Sequence, residues 1–239
     1  MRFVAVESDE QRAAGLVFRN RDLLVRQRTQ MINATRGHMA GYNWVAPPGT
    51  SQIISLGELI EGELGTSLPT AGRAMIRFMF GMLGELDSQV RELDKESARR
   101  GHGDEISRRL MTIPGIGPIA ATAIVATAPA METFRRGSDV AAWLGLAPRQ
   151  QSTGGKTKLG RISKMSERTL RRLLIFGAIT VVQHASRRGA REGSWLASML
   201  NRKPRSLATV AQANKTADRL GGAGEQSGLQ SSGSDARIS

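Results

Sequence analysis

A single stretch near the start of this chain reads as a β-strand. Phe3-Val4-Ala5-Val6 is a continuous apolar run of the kind buried on both faces of a sheet. A strand must hand its backbone N–H and C=O groups to neighbouring strands, and no other convincing strand lies nearby. The next residues have helical spacing instead. Ser8 stands as an N-cap before Asp9 and Glu10, and Ala13, Leu16, Val17, Leu23, Leu24, Met31, Ile32 and Met39 carry one long helix to about Gly41. The chain is therefore expected to be mainly α, opening on a strand and helix whose sheet partners are missing.

The punctuation beyond that helix divides the rest. Pro47-Pro48-Gly49 breaks the chain, a short helix is expected over 53–64, and Thr70 to Arg100 forms a second long helix. On it Met75, Met79, Met82, Leu83, Leu86, Val90 and Leu93 form a stripe, with Met79, Leu86 and Leu93 seven residues apart. That spacing suits a coiled-coil-like arm or an ordinary amphipathic bundle helix. Gly101-His102-Gly103 marks a boundary. Further helices are expected over 104–112, 118–127, 138–144, 167–188, 193–200 and 207–217, with Ser166 capping the fourth of these. Residues 218–239, rich in Gly, Ser, Ala and Gln, are expected to be a disordered tail. The domains are thus 1–46, 47–103, 104–217 and the tail 218–239.

Charge is concentrated in the third of these. The 239 residues carry a net +13, yet residues 1–100 hold 13 basic and 12 acidic side chains. Residues 149–215 hold 15 basic side chains against Glu167 and Glu192. A solvated basic face accounts for any one cluster, but this density favours a polyanion as partner. The absence of cysteine excludes a disulfide framework, a thiol nucleophile and a Cys-ligated metal, and three scattered histidines make a His-based site a poor fit. The longest strongly apolar run, Leu173 to Val182, is half a membrane crossing, so no membrane segment is expected and the cytoplasm is the expected compartment. The acidic residues gather only at 7–10, 58–63 and 85–96, where they read as caps or solvated faces rather than a set converging on metal ions. No cofactor is expected in this chain.

Three motifs carry candidate chemistry. Ile113-Pro114-Gly115-Ile116-Gly117-Pro118 lies between two helical segments in the pattern of a helix-hairpin-helix. Gly115 and Gly117 permit a tight turn and would let the backbone approach a phosphate at the N-terminus of the second helix; a turn joining two packed helices is the plainer alternative. Ser152-Thr153-Gly154-Gly155-Lys156 reads as a turn when taken alone. With Arg149, Lys156 and Lys158 it also supplies a hydroxyl and the cations that attack at phosphorus requires. Beyond it come Arg161 and Lys164, then a basic helix in which Leu170, Leu173, Leu174, Ile179 and Val182 would face the core. Arg168, Arg171 and Arg172 would then be left for phosphate, or for solvent.

These runs, with Ala141-Ala142-Trp143-Leu144-Gly145-Leu146-Ala147-Pro148-Arg149-Gln150 and Leu159-Gly160-Arg161-Ile162-Ser163-Lys164, strongly resemble the C-terminal half of the insertion sequence one-ten type transposases, relatives of the Piv DNA invertase. Arg2-Phe3-Val4-Ala5-Val6 and the stretch Arg21 to Asn33 are similar to the same family, so the resemblance covers about residues 1–217. It implies a RuvC-like, RNase H fold domain with four metal-binding acids, of which residues 1–46 are the remnant. It also implies a helical coiled-coil linker and a C-terminal domain whose serine nucleophile matches Ser152. DNA as substrate, magnesium held by the first domain, a guide non-coding RNA and self-association through the helical arm are further implications. On this reading the chain begins after the last of the four acids and diverges after Ala217, a truncated copy expected to be inactive alone. The alternative is a stand-alone, non-enzymatic DNA- or RNA-binding protein that uses the hairpin and the basic helix.

Overall fold

The computed structural model describes residues 8–45, 47, 49, 53, 57, 68–129, 133–150, 159–165 and 167–231, of which 159 and 222–231 are described by their backbone alone. The strand expected at Phe3–Val6 and most of the helix expected over 53–64 lie outside the described residues. The chain divides into two compact units, one of Leu16–Ser97 and one of Met1–Gly15 with Ala98–Ser239. The division expected at residue 46 is not where the fold separates.

Helix α1 spans Asp9–Ala40 and α2 spans Thr70–Gly103. Ser8 starts α1 as its sequence requires: its Oγ accepts from the Gln11 N–H at 3.1 Å while Gln11 Oε1 accepts from the Ser8 N–H at 2.9 Å. This reciprocal pair satisfies two of the orphan donors at a helix start. Within the Leu16–Ser97 unit, Arg21 pairs with Asp94 and Arg28 pairs with Asp87. Seven residues forward on one helix match seven backward on the other, so the two run antiparallel. The buried positions keep that spacing. Phe18, Ile32 and Met39 on α1 face inward, as do Ile76, Leu83, Val90 and Ser97 on α2. Ile53 and Leu68 complete the core, with Trp44 and Phe80 packed at its edge. Of the expected stripe, Met79, Leu83 and Val90 are buried, whereas Met75 and Met82 are exposed and Ile76 takes the inward place beside Met75. A seven-residue seam through Ile76, Leu83 and Val90 turns residues 75 and 82 outward.

The second unit joins short helices to two longer ones. Asp104 caps α3, Glu105–Met111, with Oδ2 accepting from the Ser107 N–H at 2.7 Å. The turn 112–117 leads into α4, Pro118–Thr127, which starts on Pro at its first position, where a missing N–H costs nothing. Ala120, Ala121, Ala123, Ile124 and Ala126 are all buried, so α4 is apolar nearly all round. Helix α5, Gly137–Trp143, is followed by strands β1, Pro148–Gln150, and β2, Leu159–Ile162. Then come α6, Arg168–Arg188, α7, Trp195–Arg202, and α8, Arg205–Ser231. The core joins Val140, Leu144 and Leu146 to Leu170, Leu174, Ala178 and Val182 of α6 and to Ala213, Ala217 and Leu220 of α8.

Two expectations change here. The cap of α6 is Glu167, whose Oε1 accepts from the Thr169 N–H at 3.1 Å; Ser166 lies outside the described residues. The expected disorder from residue 218 does not begin there, because α8 continues to Ser231. Leu220 is buried in the core, so the helix has an apolar reason to pass Ala217.

Candidate nucleic-acid interface

In the sequence, the segment that carries Ser152 lies between two strands that pair with each other. Strands β1 and β2 pair antiparallel, with Pro148 opposite Ile162 and Gln150 opposite Leu159, an irregular register that accommodates one extra residue. Residues 151–158 between them, including Ser152, Thr153, Lys156 and Lys158, lie outside the described residues.

The foot of the hairpin is held from several directions. Helix α5 ends in a Schellman turn, with the Leu146 N–H donating to the Ala141 carbonyl and the Gly145 N–H to that of Ala142. Gly145 sits at φ +65°, and a Cβ there would run into the backbone of Met165 and the guanidinium of Arg171. On the return strand, the Ser163 N–H donates to the Ala147 carbonyl and the Lys164 N–H to the Gly145 carbonyl, each at 3.1 Å. Two side chains from different helices then close the foot. Arg171 of α6 donates from Nη1 to the carbonyls of Leu144 at 3.0 Å and Met165 at 2.8 Å, and Asn214 of α8 donates from Nδ2 to the Leu146 carbonyl at 3.1 Å.

Arg171 is thus not free for phosphate, as its neighbours in sequence had suggested. It is only 8% exposed, and burial without partners would be costly for a guanidinium, so its donors turn to carbonyls that would otherwise end unpaired. The remaining basic residues differ. Arg149, Arg161, Lys164 and Arg168 are exposed around the hairpin and the start of α6, and Arg172 is half-buried. Arg149 reaches across the hairpin, Nη2 to the Ser163 carbonyl at 3.3 Å.

The glycine turn also divides its two glycines. Gly115, at φ +93°, lies against Gly177 in the middle of α6, where a Cβ on either glycine would strike the backbone of the other. Helix α6 and the turn approach that closely because both lack side chains there. Gly117 is exposed at the N-terminus of α4, with open space where a Cβ would stand. Helices α3 and α4 flank the turn as the sequence implied, and the Gly115 side of it faces protein.

Sequence reasoning overlooked Asn214, which is half-buried on α8 near the buried polar residues Thr209, Gln212 and Thr216. It also left Arg187, Arg188 and Arg191, all exposed, outside the site. Desolvation raises the Asp218 carboxyl above the ordinary carboxylate range.

Comparison with known proteins converges on one family. Residues 107–192 match the family model described as Transposase IS116/IS110/IS902 family. A Pseudomonas aeruginosa protein named "Probable family 20 transposase" is 38% identical over 218 residues, covering 91% of this chain and 64% of that relative. The transposase for insertion sequence element IS1328 of Yersinia enterocolitica is 32% identical over 91% of this chain and 64% of its own length. The transposase for insertion sequence element IS1111A of Coxiella burnetii is 30% identical, with 91% and 60% covered. The chain therefore spans less than two thirds of the length of these relatives. Over residues 107–192 the chain is therefore similar to the IS116/IS110/IS902 transposase family.

Proposed function

We propose that this chain binds DNA through its second unit and that Ser152 is the nucleophile of DNA strand exchange. Exposed Arg149, Arg161, Lys164 and Arg168 would clamp phosphate beside it, with Lys156 and Lys158 from the same segment. The observation that carries this reading is the doubly tied foot of the hairpin. Attack at phosphorus needs a hydroxyl held in a fixed place among cations, and flanking strands whose foot is anchored by Arg171 and Asn214 supply a scaffold for it. Gly117, open at the N-terminus of α4, is a further phosphate contact of the helix-hairpin-helix kind. A guide RNA and self-association through the α1–α2 unit complete the reading by analogy with the family.

Among the described residues no three His, Asp or Glu side chains gather where they could hold a metal ion. None of the described helices is long and apolar enough to cross a membrane.

The test is a nicked suicide duplex that traps a covalent protein–DNA adduct. It is incubated with this chain and, in trans, the RuvC-like domain of a relative. Ser152→Ala should abolish the adduct and leave binding nearly unchanged, whereas Thr153→Ala should cost far less. An undiminished adduct with Ser152→Ala would remove Ser152 from the site. Binding with no adduct from the unmodified chain would leave a DNA-binding protein without nucleophilic chemistry.

A further inference from the structure

Helix α6 buries one face and exposes the other. Leu170, Arg171, Leu174, Ala178, Val182 and Ala185 face the core. Positions 168, 172, 176, 180, 183 and 187 follow one another at spacings of three and four along the opposite side. All of these are exposed except Arg172, which is half-buried, and no acidic residue occurs anywhere on the helix. Its cations stand at the two ends: Arg168 in the first turn, Arg187 and Arg188 in the last, with Arg191 just beyond. Arg187, Arg188 and Arg191 have no carboxylate partner among the described residues. Between the ends lie Phe176, Thr180 and Gln183, uncharged and solvent-facing.

The helix dipole explains only part of this. Arginines in the last turn complement the negative end of a helix, which suffices for Arg187 and Arg188. The same dipole disfavours Arg168 in the first turn, where the one adjoining acid, the capping Glu167, is engaged with the Thr169 N–H. Arg191 lies outside the helix, past Gly189. An anion lying along the exposed face would satisfy both ends together. Twenty-one residues at 1.5 Å per residue place those ends about 30 Å apart, the length of about nine base pairs at 3.4 Å each.

We infer that the exposed face of α6 is a continuous track for the backbone of duplex DNA, running from the foot of the hairpin to Arg187, Arg188 and Arg191 at the far end of the helix. The inference rests on the DNA-binding reading above and adds a second contact region, remote from Ser152. The far cations contribute affinity rather than sequence preference, since phosphate contacts carry no base information.

The experiment uses the full chain and fluorescence anisotropy between 50 and 200 mM salt. The probes are a 24-base-pair duplex and a hairpin-closed duplex of six base pairs, too short at about 20 Å to reach both ends. The triple change Arg187→Gln, Arg188→Gln and Arg191→Gln should flatten the plot of log affinity against log salt by about two to three on the long duplex, at roughly 0.9 per lost contact. On the short duplex the change should be below about one contact's worth. The matching Lys triple should keep the original slope, and both triples should melt with the unmodified chain by circular dichroism. An unchanged slope with the Gln triple would overturn the inference while DNA binding stands, as would equal losses on both duplexes. A loss confined to an RNA duplex of the same length would overturn it as well. Failure of the unmodified chain to bind DNA with salt dependence would instead remove the reading beneath it.

Discussion

Replacing Arg171 by methionine would leave the carbonyls of Leu144 and Met165 without their shared donor, the first of them in a buried contact. We expect Arg171→Met to cost about 2–3 kcal/mol in urea denaturation. Arg168→Met, on an exposed residue of the same type, should change stability by less than about 0.5 kcal/mol. The glycines of the turn allow a similar contrast. Gly177→Ala would push a methyl into the Gly115 backbone and should cost about 2 kcal/mol, even after the gain in helix propensity. Gly117→Ala meets open space in an extended conformation and should be near neutral. Asp218 supplies a pH test. Its folded-state pKa is raised, so its ionisation opposes folding; the penalty is absent when both states are protonated and full once pH exceeds the folded value. Asp218→Asn should therefore raise the melting temperature at pH 7 and leave it unchanged near pH 3. The inward position of Arg171 was legible in principle. Residues 171, 174, 178, 182 and 185 keep the three-and-four spacing of one helix face, and only the residue type argued otherwise.

At the scale of elements, the helices were readable and the hairpin was not. The expected spans 118–127 and 167–188 fall within a residue of α4 and α6, because Pro118 begins one and a capping acid precedes the other. Strand β1 gave no such signal: its three residues are all exposed, so no alternation of apolar and polar side chains exists to be read. Its pairing comes from the fixed ends of the segment, above all the turn at Gly145, which is set by contacts distant in sequence. The antiparallel register of α1 and α2 was equally hidden, since it depends on which charges meet across the pair. A double-mutant cycle on Arg28→Ala and Asp87→Ala should return a coupling of about 1 kcal/mol, as suits a partly buried ion pair. The same cycle on Arg28 and Glu85, which lie out of register, should return none.

For the whole molecule, charge was the most transferable reading. It placed the basic excess in residues 149–215, and the match to the transposase family model, over 107–192, overlaps that region from 149 to 192. It did not separate cations that serve the fold from cations left at the surface, which requires knowing which way each helix faces. With on the order of six phosphate contacts, DNA affinity should fall about a thousandfold between 50 and 200 mM salt. The chain should show this by anisotropy on any mixed-sequence duplex, with little change when the sequence is scrambled.

The foot of the hairpin also carries a consequence for synthesis. Arg171 reaches back 27 residues to Leu144, whereas Asn214 reaches back 68 residues to Leu146. The longer closure must wait until the chain through Asn214 has left the ribosome, and its entropic cost is met only after α8 has docked on α5 and α6. A nascent chain halted between the two anchors would hold α5, the strands and α6, with the Arg171 bonds available and the tie from α8 still missing. The order of synthesis thus keeps the foot of the hairpin incomplete until nearly the whole unit exists.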